Sequence, residues 1–139
     1  MRITSQAFQN EGKIPDQYTM YGANRIPPLH LEDVPEQARS LALVVDDPDA
    51  ASGTFNHWVL FNVDPRTRDI KENRIPVMAT QGRNDFGEVE YDGPKLPTGE
   101  HRYYFKAFAL DAMLPLVRGS KRADLEREMK GHVLDSATG

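Results

Sequence analysis

Two histidines, a tyrosine and an aspartate stand in this chain at the heads or ends of apolar runs, and side chains of these types hold anions or move protons. From His101 the sequence HRYYFKAFALD alternates, so His101, Tyr103, Phe105 and Ala107 share one strand face while Arg102, Tyr104 and Lys106 share the other. His101 and Tyr103 are then about 7 Å apart along the strand, at roughly 3.4 Å per residue. Two polar groups heading an apolar face lose hydration unless a ligand, a water or another side chain meets them. A turn-rich loop containing Gly93, Pro94, Pro97 and Gly99 precedes the pair. His57 heads a second apolar row, with Val59, Phe61 and Val63 on its face and Trp58 and Leu60 on the other. Asp46-Asp47-Pro48-Asp49 ends a third apolar run. Each feature also has an ordinary reading: a histidine satisfied within the core, or a turn in which proline fixes the backbone and aspartates cap it.

The elements needed to position these residues are short. Arg2 to Phe8 reads as an extended opening segment, and Gln9 to Pro28 as polar loop. Leu29–Leu31 reads as a short strand, whereas Ser40–Val45 and Asn56–Val63 are runs apolar enough for strands buried on both faces. Arg66–Arg74 reads as a charged connection between hairpin strands, Val77–Gln81 as a short strand and His101–Asp111 as the longest strand. One helix is expected, capped by Ser120, with Leu125, Met129 and Val133 as its apolar stripe and Gly131 near its stop. Many strands and one late helix predict an all-β fold, an antiparallel β-sandwich with Greek-key-like connections and one C-terminal helix. With 139 residues, the chain reads as a single domain, 1–139.

Composition removes whole classes of function. There is no cysteine, so disulfides, thiolate metal sites and cysteine nucleophiles are excluded, in keeping with a cytoplasmic location. The net charge is −4 with scattered basic residues, which argues against nucleic-acid binding. No run is apolar enough for a leader peptide or a membrane span. Phosphate-binding glycine loops, metalloprotease helices and serine-nucleophile elbows are missing, and Asp85-Phe86-Gly87 matches a kinase tripeptide by chance. His30 and His132 read as structural, the latter at a helix C-terminus.

Taken in order, DDPDA, FNHWVLFNV, NDFG, YDGP and GEHRYYFKAFALD resemble the phosphatidylethanolamine-binding protein family, closest to its prokaryotic, Raf kinase inhibitor-like branch. The resemblance runs from about Arg2 to His132. It implies a β-sandwich with a small pocket for phosphate-like anions, lined here by Asp47, His57, Gly93, His101 and Tyr103, with His57 and His101 approaching one another. Three departures accompany it. Ala51 replaces a proline of the D-P-D-A-P motif, Lys95-Leu96-Pro97 replaces a more proline-rich rim, and the chain stops soon after the helix, where the family adds a final short strand.

In such a pocket two imidazoles, a phenol and the Gly93 N–H would donate four hydrogen bonds to one oxyanion. Asp47 would repel a phosphate, so it is expected either to accept an N–H from a histidine and fix its tautomer, or to meet a proton or ammonium on the ligand. A phosphoethanolamine headgroup satisfies both demands, with no cofactor. The expected function is a ligand-binding or inhibitor-like regulatory module rather than an enzyme, with no catalytic or metal-binding residues assigned. A protein partner at the pocket rim and homodimerisation remain open. The alternative is an acid–base or metal-dependent enzyme using the same histidines and carboxylate.

Overall fold

The two unbroken apolar runs form adjacent central strands, β3 (Ser40–Asp47) and β4 (Phe55–Val63). The remaining strands are β1 (Arg2–Thr4), β2 (Leu29–Glu32), β5 (Asp69–Ile70), β6 (Thr80–Gln81), β7 (Tyr104–Leu110) and β8 (Val133–Thr138), with helix α1 at Arg122–Met129. A computed structural model describes residues 1–8, 16–20, 22–49, 53–93 and 103–139. The strands form two antiparallel sheets, a small one in the order β1-β2-β5 and a large one in the order β6-β4-β3-β7-β8. The chain returns to a non-consecutive neighbour in the β2–β5, β4–β6 and β3–β7 pairs, as Greek-key-like connections require.

Every residue of β3 is buried because both of its faces are covered. Leu41, Leu43 and Val45 join Trp58, Leu60, Phe105, Ala107 and Leu31 in the core between the sheets. Ala42 and Val44 join Val59, Phe61, Leu110, Leu125 and Met129 in a second core beneath the helix. The continuous apolar run therefore marks a middle layer, even though the sheet is antiparallel.

Strict alternation fails at both ends of β4. Leu41 pairs with Val63 and Leu43 with Leu60, so β4 carries one extra residue there. Asn62 absorbs it in the left-handed region, at φ 53°, and its side chain grips the Leu114 backbone N–H and C=O at 2.8 and 3.0 Å. Val63 consequently packs with Trp58 and Leu60, not with Val59 and Phe61 as the sequence period suggested. The second irregularity lies at His57.

Several boundaries differ from the sequence reading, among them the Val77–Gln81 strand, of which only Thr80–Gln81 pairs, and the opening segment, whose strand stops at Thr4. The helix N-cap is Lys121, whose backbone N–H donates to the Asp124 carboxylate at 2.9 Å, one residue after the expected Ser120. The helix also ends earlier: Gly131 at φ 83° turns the chain, so Val133, 46% exposed, opens a strand instead of extending the apolar stripe. That strand is β8, laid against β7 from Leu110↔Val133 to Lys106↔Thr138, so the final strand thought to be missing is present. The charged Arg66–Arg74 connection contains β5.

Candidate functional site

At the end of β3, Asp46 and Asp47 point to opposite sides of the large sheet. Asp46 turns toward the helix, where its Oδ2 faces the Lys106 and Arg122 cations at 3.5 and 3.4 Å and its Oδ1 accepts from Asn56 Nδ2 at 3.0 Å. Asp47 is only 3% exposed. Its Oδ1 accepts the Asp49 N–H at 2.8 Å, closing a short side-chain turn across Pro48. The turn reading of this motif is thus observed.

His57 reaches the same side through a bulge. Val45 pairs with Trp58 and Asp46 with Asn56, leaving His57 as the extra residue of β4. A bulge re-aims the side chain it displaces. The His57 ring meets Tyr103 edge-on at 5.3 Å, with Phe55 at 5.2 Å and Phe86 at 5.4 Å completing an aromatic wall. Asn56 secures the bulge, since its Nδ2 reaches both the Val45 and Trp58 carbonyls, at 3.3 and 3.0 Å.

The tautomer of His57 is fixed from behind. Its Nδ1 lies 2.8 Å from the Asp92 carbonyl oxygen, which can only accept, so Nδ1 carries the proton and the neutral ring presents its lone pair at Nε2. The group that fixes this tautomer is the Asp92 carbonyl, and Asp47 acts on the ring through its charge. Burial lowers the His57 pKa below its ordinary value; the Asp92 carbonyl, the Asp47 charge, the Gly93 backbone and the Asp46 charge oppose that shift. Tyr103 moves the other way. Burial, then the Asp47 and Asp49 charges, push its hydroxyl up to about 12, so it stays protonated and able to donate.

Gly93 is placed beside His57 but does a different job from the one expected. Its N–H donates to Asn24 Oδ1 at 2.7 Å, so this donor is committed within the protein. A side chain at this position would put a Cβ 2.0 Å from the Tyr18 carbonyl oxygen. Glycine is required because the 18–19 backbone passes so close.

Sequence reasoning missed the group that holds these parts together. Asn84, 3% exposed, donates from Nδ2 to the Glu90 carbonyl and to Asp92 Oδ2, both at 2.9 Å, while Oδ1 accepts the Phe86 and Glu88 N–H groups at 3.0 Å. Asp92 Oδ1 accepts from Asn24 Nδ2 at 2.8 Å, which links the Asn84 loop to the Gly93 contact. Asp85 exchanges backbone-like bonds with Asn56, at 2.7 and 3.0 Å. The NDFG run, which carried part of the family resemblance but was given no role of its own, therefore organises one wall of the site. Its signal was an Asn-Asp pair before Phe-Gly, an Asx-turn composition.

His30 lies away from this group, between Asp69 at 2.8 Å and Glu32 at 3.2 Å, and its pKa is raised first by the Asp69 hydrogen bond. His132 lies beyond the helix, 2.7 Å from Asp111. Both are structural, as read. His101, Ala51 and the Lys95-Leu96-Pro97 run lie outside the described residues.

A pair of sheets with a bulged histidine, a buried aspartate and a tyrosine at one end is a specific arrangement, and comparison with known proteins identifies it. The sequence profile described as "Phosphatidylethanolamine-binding protein" matches residues 4–138. The chain belongs to the phosphatidylethanolamine-binding protein family. It is 44% identical to a UPF0098 protein of Methanothermobacter thermautotrophicus, covering 99% of this chain and 94% of that one. A UPF0098 protein of Aquifex aeolicus is 43% identical, with 99% and 84% covered. Among solved structures, a putative phosphatidylethanolamine-binding protein homologue from Chlamydia trachomatis superposes with TM-score 0.93 at 38% identity, covering 99% of this chain and 92% of that one. E. coli YbcL, described as a new member of the mammalian family, superposes with TM-score 0.91 at 27% identity over 99% and 93% of the two chains. The chain is a prokaryotic-type family member, and the family suggests a ligand-binding module. Among the described residues, no helix is long and apolar enough to cross a membrane.

Proposed function

We propose that this chain binds the phosphorylated headgroup of a small zwitterionic ligand, of the phosphoethanolamine type, at Asp47, His57 and Tyr103. The observation that carries the reading is the fixed tautomer of His57, with Nδ1–H on the Asp92 carbonyl and its ring against Tyr103. On protonation Nε2 becomes a second donor, to set beside the Tyr103 hydroxyl, and both suit a phosphoryl oxygen. Asp47 supplies the opposite demand. Its charge acts on both His57 and Tyr103, so a bare phosphate dianion meets repulsion, whereas an acidic P–OH or an ammonium on the ligand is welcome. The aromatic wall of Phe55 and Phe86 adds a face that favours an ammonium group.

The reading is of a binder rather than a catalyst. Tyr103 holds its proton up to about 12 and so is no ready nucleophile, and although neutral His57 presents a lone pair that could serve as a base, the sequence offers no nucleophile motif for it to activate. Titration calorimetry with phosphoethanolamine, phosphate and ethanolamine tests the reading. Phosphoethanolamine should bind most tightly, and His57→Ala should abolish that preference. Equal affinity for all three, or binding unchanged in His57→Ala, would remove it, and hydrolysis of phosphoesters lost with the same substitution would favour an acid–base enzyme.

A further inference from the structure

Glu72 fastens a loop that grips the backbone behind His57. It stands in a tight turn just after β5, closed by the Arg74 N–H on the Lys71 carbonyl at 3.1 Å, with Asn73 in the left-handed region at φ 54°. Its Oε1 accepts the Tyr18 hydroxyl at 2.6 Å and its Oε2 accepts Arg25 Nε at 3.1 Å. Tyr18 and Arg25 stand toward the two ends of a loop that the Arg25 N–H draws shut on the Gln17 carbonyl at 2.9 Å. One carboxylate therefore holds both ends. The Tyr18 contact is the firmer of the two. Tyr18 is only 2% exposed, and a hydroxyl on a carboxylate at this distance is a charge-assisted bond, whereas the Arg25 and Glu72 side chains are 44% and 36% exposed and their charges are screened.

What the loop grips is Asp92 and Gly93. At one end the Tyr18 carbonyl accepts the Tyr91 hydroxyl at 2.8 Å and lies so close to Gly93 that no Cβ fits. At the other, Asn24 uses both ends of its amide: Oδ1 accepts the Gly93 N–H at 2.7 Å and Nδ2 donates to Asp92 Oδ1 at 2.8 Å. The Asp92 carbonyl held between these contacts is the acceptor of the His57 Nδ1–H. We propose that Glu72 is a positioning residue of the binding site, setting the His57 ring through Tyr18 and Arg25, then Asn24 and Asp92. The inference rests on the reading of His57 as a donor to the ligand, and it adds a control point outside the site. Its effect has a definite sign. Burial lowers the His57 pKa, and the Asp92 carbonyl leads the groups that oppose this, ahead of the Asp47, Gly93 and Asp46 contributions. A loosened loop lets that carbonyl drift, so the imidazolium, with its second donor at Nε2, forms only at lower pH.

Nitrogen NMR of His57 across pH in the ligand-free full chain, with calorimetry of phosphoethanolamine binding, tests the proposal. In Glu72→Ala, His57 should titrate lower than in the natural chain and its Nδ1–H tautomer should become mixed. Affinity at about pH 8 should fall about fivefold, the worth of one ordinary hydrogen bond, and the loss should shrink as pH drops below both free-state values. Glu72→Gln still accepts the Tyr18 hydroxyl and should keep most of the natural behaviour. Because Glu72 acts through Asn24, the double variant Glu72→Ala, Asn24→Ala should shift His57 no further than Asn24→Ala alone. If Glu72→Ala does not fold, Tyr18→Phe removes the firmer bond and decides in its place, with the same direction of shift expected. A lower Tm with His57 unmoved, or fully additive shifts in the double variant, would overturn the positioning role while leaving the headgroup reading intact. A natural chain that binds no phosphoethanolamine, with His57 still shifted in Glu72→Ala, would remove the headgroup reading and keep the link from Glu72 to His57.

Discussion

Replacing Asn84 by alanine removes one side chain and four contacts at 2.9–3.0 Å. Two backbone N–H groups lose their acceptor and a buried Asp92 oxygen loses its donor. Ordinary bonds of this kind contribute about 1 kcal/mol net and the bond to the carboxylate about 1.5–3 kcal/mol. Phe86 and Glu88 lie near enough to solvent for water to recover part of the loss. The expected cost is about 3–5 kcal/mol, or roughly 10–15 °C in Tm for a domain of this size. Urea unfolding followed by Trp58 fluorescence measures it, provided the slope with denaturant is unchanged. Asn84→Asp sharpens the test, because it keeps the shape and sets a second carboxylate against Asp92. Like charges force one of the pair to hold its proton, so that variant should be weaker at pH 7 than at pH 4, relative to the natural chain. Nitrogen NMR of His57 supplies the link to the site, and the Nδ1–H tautomer should become mixed in Asn84→Ala. A loss below 1 kcal/mol in both variants, with the tautomer intact, would refute the view that Asn84 holds the site together.

Other consequences are as direct. His57 should titrate below its ordinary value in the free protein, since burial is the leading cause of the shift. Its neutral form then contributes stability that is full above the unfolded value of about 6.5 and is lost as pH falls through the depressed one. Phosphoethanolamine should raise the His57 pKa, so binding strengthens below the free-state value and weakens as pH rises past the bound-state value; an unmoved titration on saturation would refute this. Gly93→Ala should lower stability by about 2–3 kcal/mol, because its Cβ meets the Tyr18 carbonyl oxygen at 2.0 Å; a melting temperature within 2 °C of the natural chain would show that the 18–19 segment yields freely. Asp46→Ala should cost about 3 kcal/mol by stranding the Lys106 and Arg122 charges, and Asp46→Asn should recover part of it; equal losses would argue against the ion pairs as the cause.

The parts of this fold that follow from composition were legible. Ser40–Val45 and Asn56–Val63 announced buried strands because every residue in them had to leave water, and their observed limits differ by two residues at most. Asp47, His57 and Tyr103 were legible through the family resemblance, and the alternation of Phe105 and Ala107 was legible from period alone. The bulges were not. An extra residue in a ladder is a relation between two strands, and Leu43↔Leu60 or Val45↔Trp58 is visible only once both are paired. β8 escaped for another reason: it lies at the sheet edge and reads VLDSAT, with too few buried positions to show a period. Gly93 shows the limit of motif transfer. The motif located the residue, but the neighbour that claims its N–H, Asn24, lies in a distant loop.

The extra residue at His57 has a consequence for anyone who wishes to improve this protein. A regular ladder would run more smoothly without it, and deleting one residue between Asn56 and Trp58 would remove one of the two interruptions in the pairing of β4 with β3. Screens for heat resistance, and sequence redesign toward ideal strands, both reward that repair. They would deliver a firmer sandwich with no histidine facing Tyr103. In this family member the irregularity is the heritable trait, and the smooth sheet around it is the setting that keeps it in place.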